Sequence, residues 1–351
     1  MSTGKRPTTA ADYRQRILRV LVYIQTHLDE AVCLDDLAEL ACFSPFHFHR
    51  IFSGMMGEGV MEHVRRLRLE RAAHRLRFDD QPIVRVAFDA GFETHEAFSR
   101  AFKAMFGRSP SEFRAARRAA DASASQGPPP GDAPAPARRA DDDASAAGAA
   151  PPTHAPSAHD HRRSPARLTA VDLPPAASGV HYDQRGRVDA FTPLKGDPTV
   201  HVRIETLQPQ RVAFIRHVGP YEQVGYAWTR LMSWAGPRGL IGAGPPIGLA
   251  YDDPQITPPD KLRYDACLPV ASSVQGEGDV GVQDVAGGEY AVTEHVGPYE
   301  RLHYTYTRLF GQWLPGSGRT PRSDPCIERY LNDPRSTPPE QLRTEVCVPV
   351  A

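Results

Sequence analysis

The sequence predicts a multidomain protein: an all-α domain with two helix-turn-helix units, a disordered linker, and an α+β domain of two pseudo-symmetric strand-helix-strand-strand modules. Three observations predict it. Residues 13–118 keep apolar side chains at helical spacing. Residues 119–198 are dominated by Ala, Pro, Ser, Asp, Arg and His, which offer too little apolar surface to offset the entropy of ordering. Residues 199–351 contain a long internal echo: His217-Val-Gly-Pro-Tyr-Glu recurs as His295-Val-Gly-Pro-Tyr-Glu, and the segment from Thr257 to Val270 recurs from Thr337 to Val350. A chain of 351 residues that is 40% hydrophobic gives each folded part enough material for its own core.

Charge is divided unevenly. Residues 1–118 hold 19 Lys and Arg against 15 Asp and Glu, and the remainder holds 22 against 27. A basic N-terminal part suits a polyanion, although the excess is modest. The five cysteines form no CxxC pair and are odd in number, which argues against a disulfide framework or structural zinc. No metal or cofactor is expected. The start of the chain lacks an apolar leader, and no apolar run approaches the ~20 residues that span a bilayer. The expectation is a cytoplasmic protein with no membrane partner.

In the N-terminal part, Ile17, Val20, Leu21 and Ile24 mark a first helix, and Leu34, Leu37 and Leu40 a second. Ala41-Cys-Phe forms a tight turn. Ser44 then caps a helix opened by Pro45, with Phe48, Ile51, Phe52 and Met55 on one face and a stop near Gly57. An Arg-rich helix follows from about Met61 to Leu76. The second unit runs from Ile83 to Ala90, turns at Gly91-Phe92, and restarts after Thr94 with Phe98, Phe102 and Phe106 as its buried stripe. Pro110 opens a last helix. Both second helices place polar residues opposite the core face, as a helix lying in a major groove requires.

These segments strongly resemble the AraC/XylS family of transcription regulators. The resemblance is carried by the run from Leu37 to Phe52, by Arg66-Leu-Arg-Leu-Glu-Arg-Ala, and by the run from Ala87 to Arg114. It implies two recognition helices entering successive major grooves. By position, Phe46, His49 and Arg50 would face DNA from the first, and His95, Glu96 and Arg100 from the second. Arginine can bind guanine bidentately, glutamate can accept from cytosine, and Phe46 can touch a thymine methyl. Two positions depart from the family pattern. Cys42 stands where the first turn normally has Gly, as Gly91 does in the second, and Gly59-Val60 replaces the step seen at Ser109-Pro110.

In the C-terminal part, each copy reads strand, helix, strand, strand. Strands are expected over Arg211 to Gly219, Pro246 to Tyr251 and Leu262 to Val270, and again over Glu289 to Val296, Ile327 to Leu331 and Leu342 to Val350. The intervening helices carry Tyr221, Val224, Trp228, Leu231 and Met232, then Leu302, Tyr306, Leu309, Phe310 and Trp313. The paired Val-Gly-Pro-Tyr-Glu motifs, Ile327-Glu-Arg-Tyr-Leu-Asn-Asp-Pro and the Cys-x-Pro-Val endings are similar to GyrI-like effector-binding domains. That resemblance implies a cleft for aromatic or cationic small molecules centred on a buried glutamate, which is Glu328 by motif position. Trp234, Tyr304, Trp313 and Tyr330 are the expected aromatic walls, with Glu345 as a second carboxylate. Together the two resemblances imply a sequence-specific transcription regulator under ligand control and not an enzyme. Its expected partners are double-stranded DNA and a small-molecule effector, with RNA polymerase as a further candidate. The alternative is a GyrI-like domain that hydrolyses or sequesters reactive small molecules.

Overall fold

The structure, a computed structural model, describes residues 10–116, 179–182, 187–194 and 200–351. They divide into two compact units, one drawn from residues 1–68 and 175–351, the other from residues 69–174. The division does not follow the boundary at residue 118. The first helix-turn-helix unit shares a hydrophobic core with the C-terminal domain, and the second has a core of its own.

In the larger unit, α1 (Ala10–Thr26), α2 (Leu34–Leu40), α3 (Pro45–Met56) and the first part of α4 (Val60–Phe78) form at the expected places. The Ser44 hydroxyl accepts the His47 N–H at 3.3 Å, Pro45 occupies the first turn, and Gly57 ends α3 at φ 78°. Cys42, in the turn between α2 and α3, has φ 56° and is the one non-glycine among the described residues in the left-handed region. The linker expected over residues 119–198 lies mostly outside the described residues. Within that span, β1 (Gly179–Tyr182) and β2 (Val188–Thr192) form an antiparallel hairpin. Phe191 of β2 is buried in the shared core, Val188 N–H donates to Gln25 of α1 at 2.8 Å, and Leu194 N–H donates to the Met55 carbonyl at 3.0 Å.

The C-terminal strands are β3 (Arg203–Leu207), β4 (Gln210–Val218), β5 (Ile247–Ala250), β6 (Arg263–Pro269), β7 (Gly281–Val285), β8 (Gly288–Val296), β9 (Cys326–Tyr330) and β10 (Arg343–Pro349). They make one antiparallel sheet in the order β3-β8-β10-β9-β5-β6-β4-β7. The two copies meet where β5 pairs with β9, with Gly248 opposite Glu328. Each copy begins with a strand that sequence patterning missed. These are β3 and β7, short and largely unburied edge strands with polar side chains, so no alternation announces them. Their pairing is exchanged: β3 precedes β4 but pairs with β8, and β7 precedes β8 but pairs with β4. A helix from each copy packs on the sheet. The first is Gly225–Ala235; the second is Leu302–Arg308, which continues through a π-helical turn at Leu309–Trp313.

The smaller unit holds the rest of α4, α5 (Ile83–Asp89), α6 (His95–Phe106) and a helical segment at residues 110–116 (α7). Leu76, Val86, Phe98 and Phe102 form its core. Thr94 caps α6, Gly91 and Gly107 adopt φ 77° and 72°, and Ser109 and Glu112 form a reciprocal capping box ahead of α7. The C-terminal helices Gly225–Ala235 and Leu302–Arg308 are α8 and α9 below.

Candidate functional site

The two helix-turn-helix units share a frame fifty positions apart: Ser44 and Thr94 cap, Arg50 and Arg100 follow six residues later, and Gly57 and Gly107 end the helix. Their surroundings differ. On α6, Phe98 and Phe102 are fully buried, Glu96 and Arg100 are exposed, and His95 is half-buried. An uncommitted guanidinium on the outer face suits contact with a base or a phosphate, and an uncommitted carboxylate suits a cytosine amino group.

The equivalent face of α3 is covered. His49 and Arg50 are 3% and 7% exposed, and Phe46 is half-buried. His49 Nδ1 meets Asp253 Oδ2 at 3.0 Å. Arg50 Nε stands 3.5 Å from the same oxygen, and its guanidinium carbon lies 4.1 Å from the Tyr306 ring centre and 4.4 Å from that of Phe46. Burial alone would push the guanidinium down, but the charge of Asp253 holds it above its ordinary value. The Asp253 carboxyl, pushed up by burial, is brought below its ordinary value by the His49 hydrogen bond and by Arg50. His47 stacks on Phe310, and burial with the nearby Arg50 charge lowers it to about 4. Further along α3, Gly54 rests against Gly311 in the π-turn so closely that a Cβ on either would overlap the other's backbone.

Glu328 lies beneath Tyr306 of α9. It is 7% exposed, on the sheet face that bears α8 and α9. Tyr306 donates to Oε1 at 2.9 Å and Tyr330 donates to Oε2 at 2.6 Å. Tyr264 hydrogen-bonds Tyr330 at 2.6 Å. Since Tyr330 gives its one proton to Glu328, Tyr264 is the donor, and the chain runs from Tyr264 through Tyr330 into the carboxylate. Gly248, opposite Glu328, leaves room for the Tyr264 hydroxyl, which a Cβ there would strike. Tyr299 and Trp228 stand edge-on to Tyr330 at 5.4 and 5.5 Å. Burial pushes the Glu328 carboxyl above the usual carboxylate range, against the pull of the two tyrosines and the Arg50 charge.

Glu328 and Tyr330 are therefore brought together, and the other four expected cleft residues are not beside them. Tyr304 is 58% exposed, because two residues along a helix turn a side chain to nearly the opposite side from Tyr306. Trp234 is six residues from Trp228, about 240° round the helix, and carries Arg238 over its ring. Trp313 packs at the edge of the shared core. Glu345 pairs with Arg329 at 2.9 Å on the other face of the sheet, as its odd spacing from Val346 dictates. Tyr306, Tyr264, Tyr299 and Trp228 take their places. The sequence placed Tyr306 and Trp228 on apolar helix faces; only the sheet beneath them turns those faces into a cleft. The buried Cys267 and Cys347 thiols are both pushed up by burial, Cys347 to about 12, so neither is a ready nucleophile.

A duplicated helix-turn-helix and a two-copy antiparallel domain built around a buried carboxylate define the class of fold. Sequence comparison agrees. Residues 201–351 match the GyrI-like small molecule binding domain, and residues 37–116 match a helix-turn-helix domain. The chain is 31% identical over 157 residues to the probable transcriptional regulator YgiV of Escherichia coli (strain K12), covering 44% of this chain and 98% of that one. It is 36% identical over 156 residues to a DNA gyrase inhibitor of Edwardsiella ictaluri, covering 43% and 98%. At the other end it is 36% identical over 102 residues to the HTH-type transcriptional regulator YbfP of Bacillus subtilis (strain 168), covering 29% and 35%. The chain belongs to the GyrI-like family and carries an AraC-type helix-turn-helix DNA-binding region ahead of that domain. Among the described residues, no helix is long and apolar enough to cross a membrane.

Proposed function

We propose that this protein is a cytoplasmic transcription regulator whose occupancy of DNA is set by a small organic cation bound at Glu328. The observation that carries the reading is the Glu328 carboxylate, buried and held between the hydroxyls of Tyr306 and Tyr330, with Tyr299 and Trp228 beside them. A buried charge needs a partner, and aromatic rings favour a partner that is large, flat and weakly hydrated. Both carboxylate oxygens already accept a hydrogen bond, which suits charge display better than proton abstraction, so no turnover is expected. On the DNA side, His95, Glu96 and Arg100 of α6 read base edges, and Phe46, His49 and Arg50 of α3 do so when exposed. RNA polymerase is the partner through which such occupancy acts.

The test has two arms on the full chain. Tetraphenylphosphonium, a hydrophobic aromatic cation, should bind by calorimetry, and Glu328→Gln should weaken it about tenfold or more, as loss of a desolvated charge pair implies. A duplex selected from a random pool should be bound specifically, and Arg100→Ala should weaken that binding by about 1–3 kcal/mol. Failure to find either a cation site or an enriched duplex would overturn the reading.

A further inference from the structure

We propose that α3 is an internal plug: Arg50 occupies the place of the ligand's cation in the Glu328 cleft, so that ligand binding and the release of the first recognition helix are one event. This rests on the proposed ligand reading of Glu328 and adds how that site is regulated.

Four observations carry it. First, Arg50 meets the features expected of the ligand. Its guanidinium lies over Tyr306, the residue that donates to Glu328, and its charge is among those acting on that carboxyl. Second, the fit is imperfect. Nε and Nη1 of Arg50 are buried without a hydrogen bond among the described residues, and Glu328 spends its acceptors on tyrosines. A buried donor without an acceptor opposes the docked state, so a better-matched cation can take its place. Third, the docked face of α3 sets polar side chains into the shared core, beside the apolar contact of Phe46 with Phe310. His47, His49 and Arg50 alternate with the apolar stripe that anchors α3 in its own unit, whereas permanent interfaces are built mainly from apolar side chains. A face of this chemistry is soluble when exposed and suited to phosphates and bases. Fourth, the equivalent face of α6 carries Arg100 in the open. The same arginine, at the same position in the repeat, is sequestered in one unit and presented in the other.

The consequence is quantitative. If only a fraction of molecules has α3 released, the apparent affinity for the ligand is lowered by that fraction. The contribution of α3 to DNA affinity is lowered by at most the same factor. Weakening the docked state therefore tightens both, and ligand and DNA each favour the other.

Gly311→Val separates docking from recognition, because a Cβ on Gly311 would strike the Gly54 backbone, and neither glycine is a proposed ligand or DNA contact. Asp253→Asn, which removes the charge facing His49 and Arg50, is a conservative second variant should the first fail to fold. In the full chain, each variant should bind tetraphenylphosphonium more tightly than the parent, by about tenfold for Gly311→Val, and should bind the selected duplex more tightly without added cation. In the parent, saturating tetraphenylphosphonium should raise duplex affinity and speed deuterium exchange of the α3 amides. Unchanged duplex affinity in both variants, or α3 equally protected with and without bound cation, would overturn the plug while leaving a cation site lost in Glu328→Gln intact. Should tetraphenylphosphonium bind neither parent nor variant, the ligand reading falls, and duplex affinity of the two variants alone decides whether α3 is held in check.

Discussion

At the scale of single residues, Cys42 and Arg50 are each explained by comparison with the other half of the repeat. Gly91 adopts φ 77° at no steric cost, and Cys42 is held at φ 56° in the same turn, where a Cβ meets the following carbonyl. The strain is of order 1–2 kcal/mol, partly offset by the entropy a glycine would lose on folding. Cys42→Gly should therefore raise the unfolding free energy of the first helix-turn-helix by about 1 kcal/mol in urea melts; a loss of stability would mean that Cys42 makes a contact worth more than its strain. This position was legible from sequence, since a turn that wants glycine declares itself. Arg50 was not. Its spacing places it on the outer face of α3, and helical periodicity says nothing about which neighbour covers that face. The docking needs Asp253, more than two hundred residues away, and no local pattern links them.

Element by element, the helices formed where caps and apolar stripes said they would, because those signals act within one turn of chain. The start of α4 is different. Its counterpart, α7, opens with the Ser109–Glu112 capping box, but Gly59-Val60 offers no such side chain. Glu58 instead ties the preceding turn to the helix through side chains: its carboxylate meets His63 Nδ1 at 2.7 Å and Arg66 Nη2 at 2.8 Å. Burial pushes this carboxyl up, and the hydrogen bonds from His63 and Arg66 bring it down further, to about 2. A carboxyl depressed in the folded state contributes its stability above the unfolded value of 4.5, and loses it as pH falls toward 2. Glu58→Gln should flatten that part of the stability profile and lower stability at pH 7; a profile that still falls as steeply between those limits would place the acid sensitivity elsewhere. Among the strands, inner ones were read to within a residue or two, whereas β3 and β7 escaped, since these short edge strands show no clean alternation of apolar and polar side chains. The cleft was half legible for a related reason. Motif position found Glu328 and Tyr330 on one strand, but the walls come from helices whose rotation over the sheet the sequence does not state.

On the scale of the whole molecule, the exchanged pairing of β3 and β7 ties the two copies together at both edges of the sheet, in addition to the β5–β9 contact at their centre. Each copy's outermost ladder is completed by a strand that belongs to the other. A protease site placed in the 271–279 stretch between β6 and β7 should thus give two fragments that still co-elute under native conditions and part only in denaturant. Fragments that separate freely would mean that the exchanged strands add little. One copy made by itself, with its leading strand attached, would have a spare strand at one end and a vacancy at the other. Its natural complement is a second identical chain. The domain has the architecture of a strand-swapped homodimer written into a single polypeptide, and joining the halves is what let one position be glutamate and its mirror position glycine, giving a symmetric frame a single, asymmetric charge.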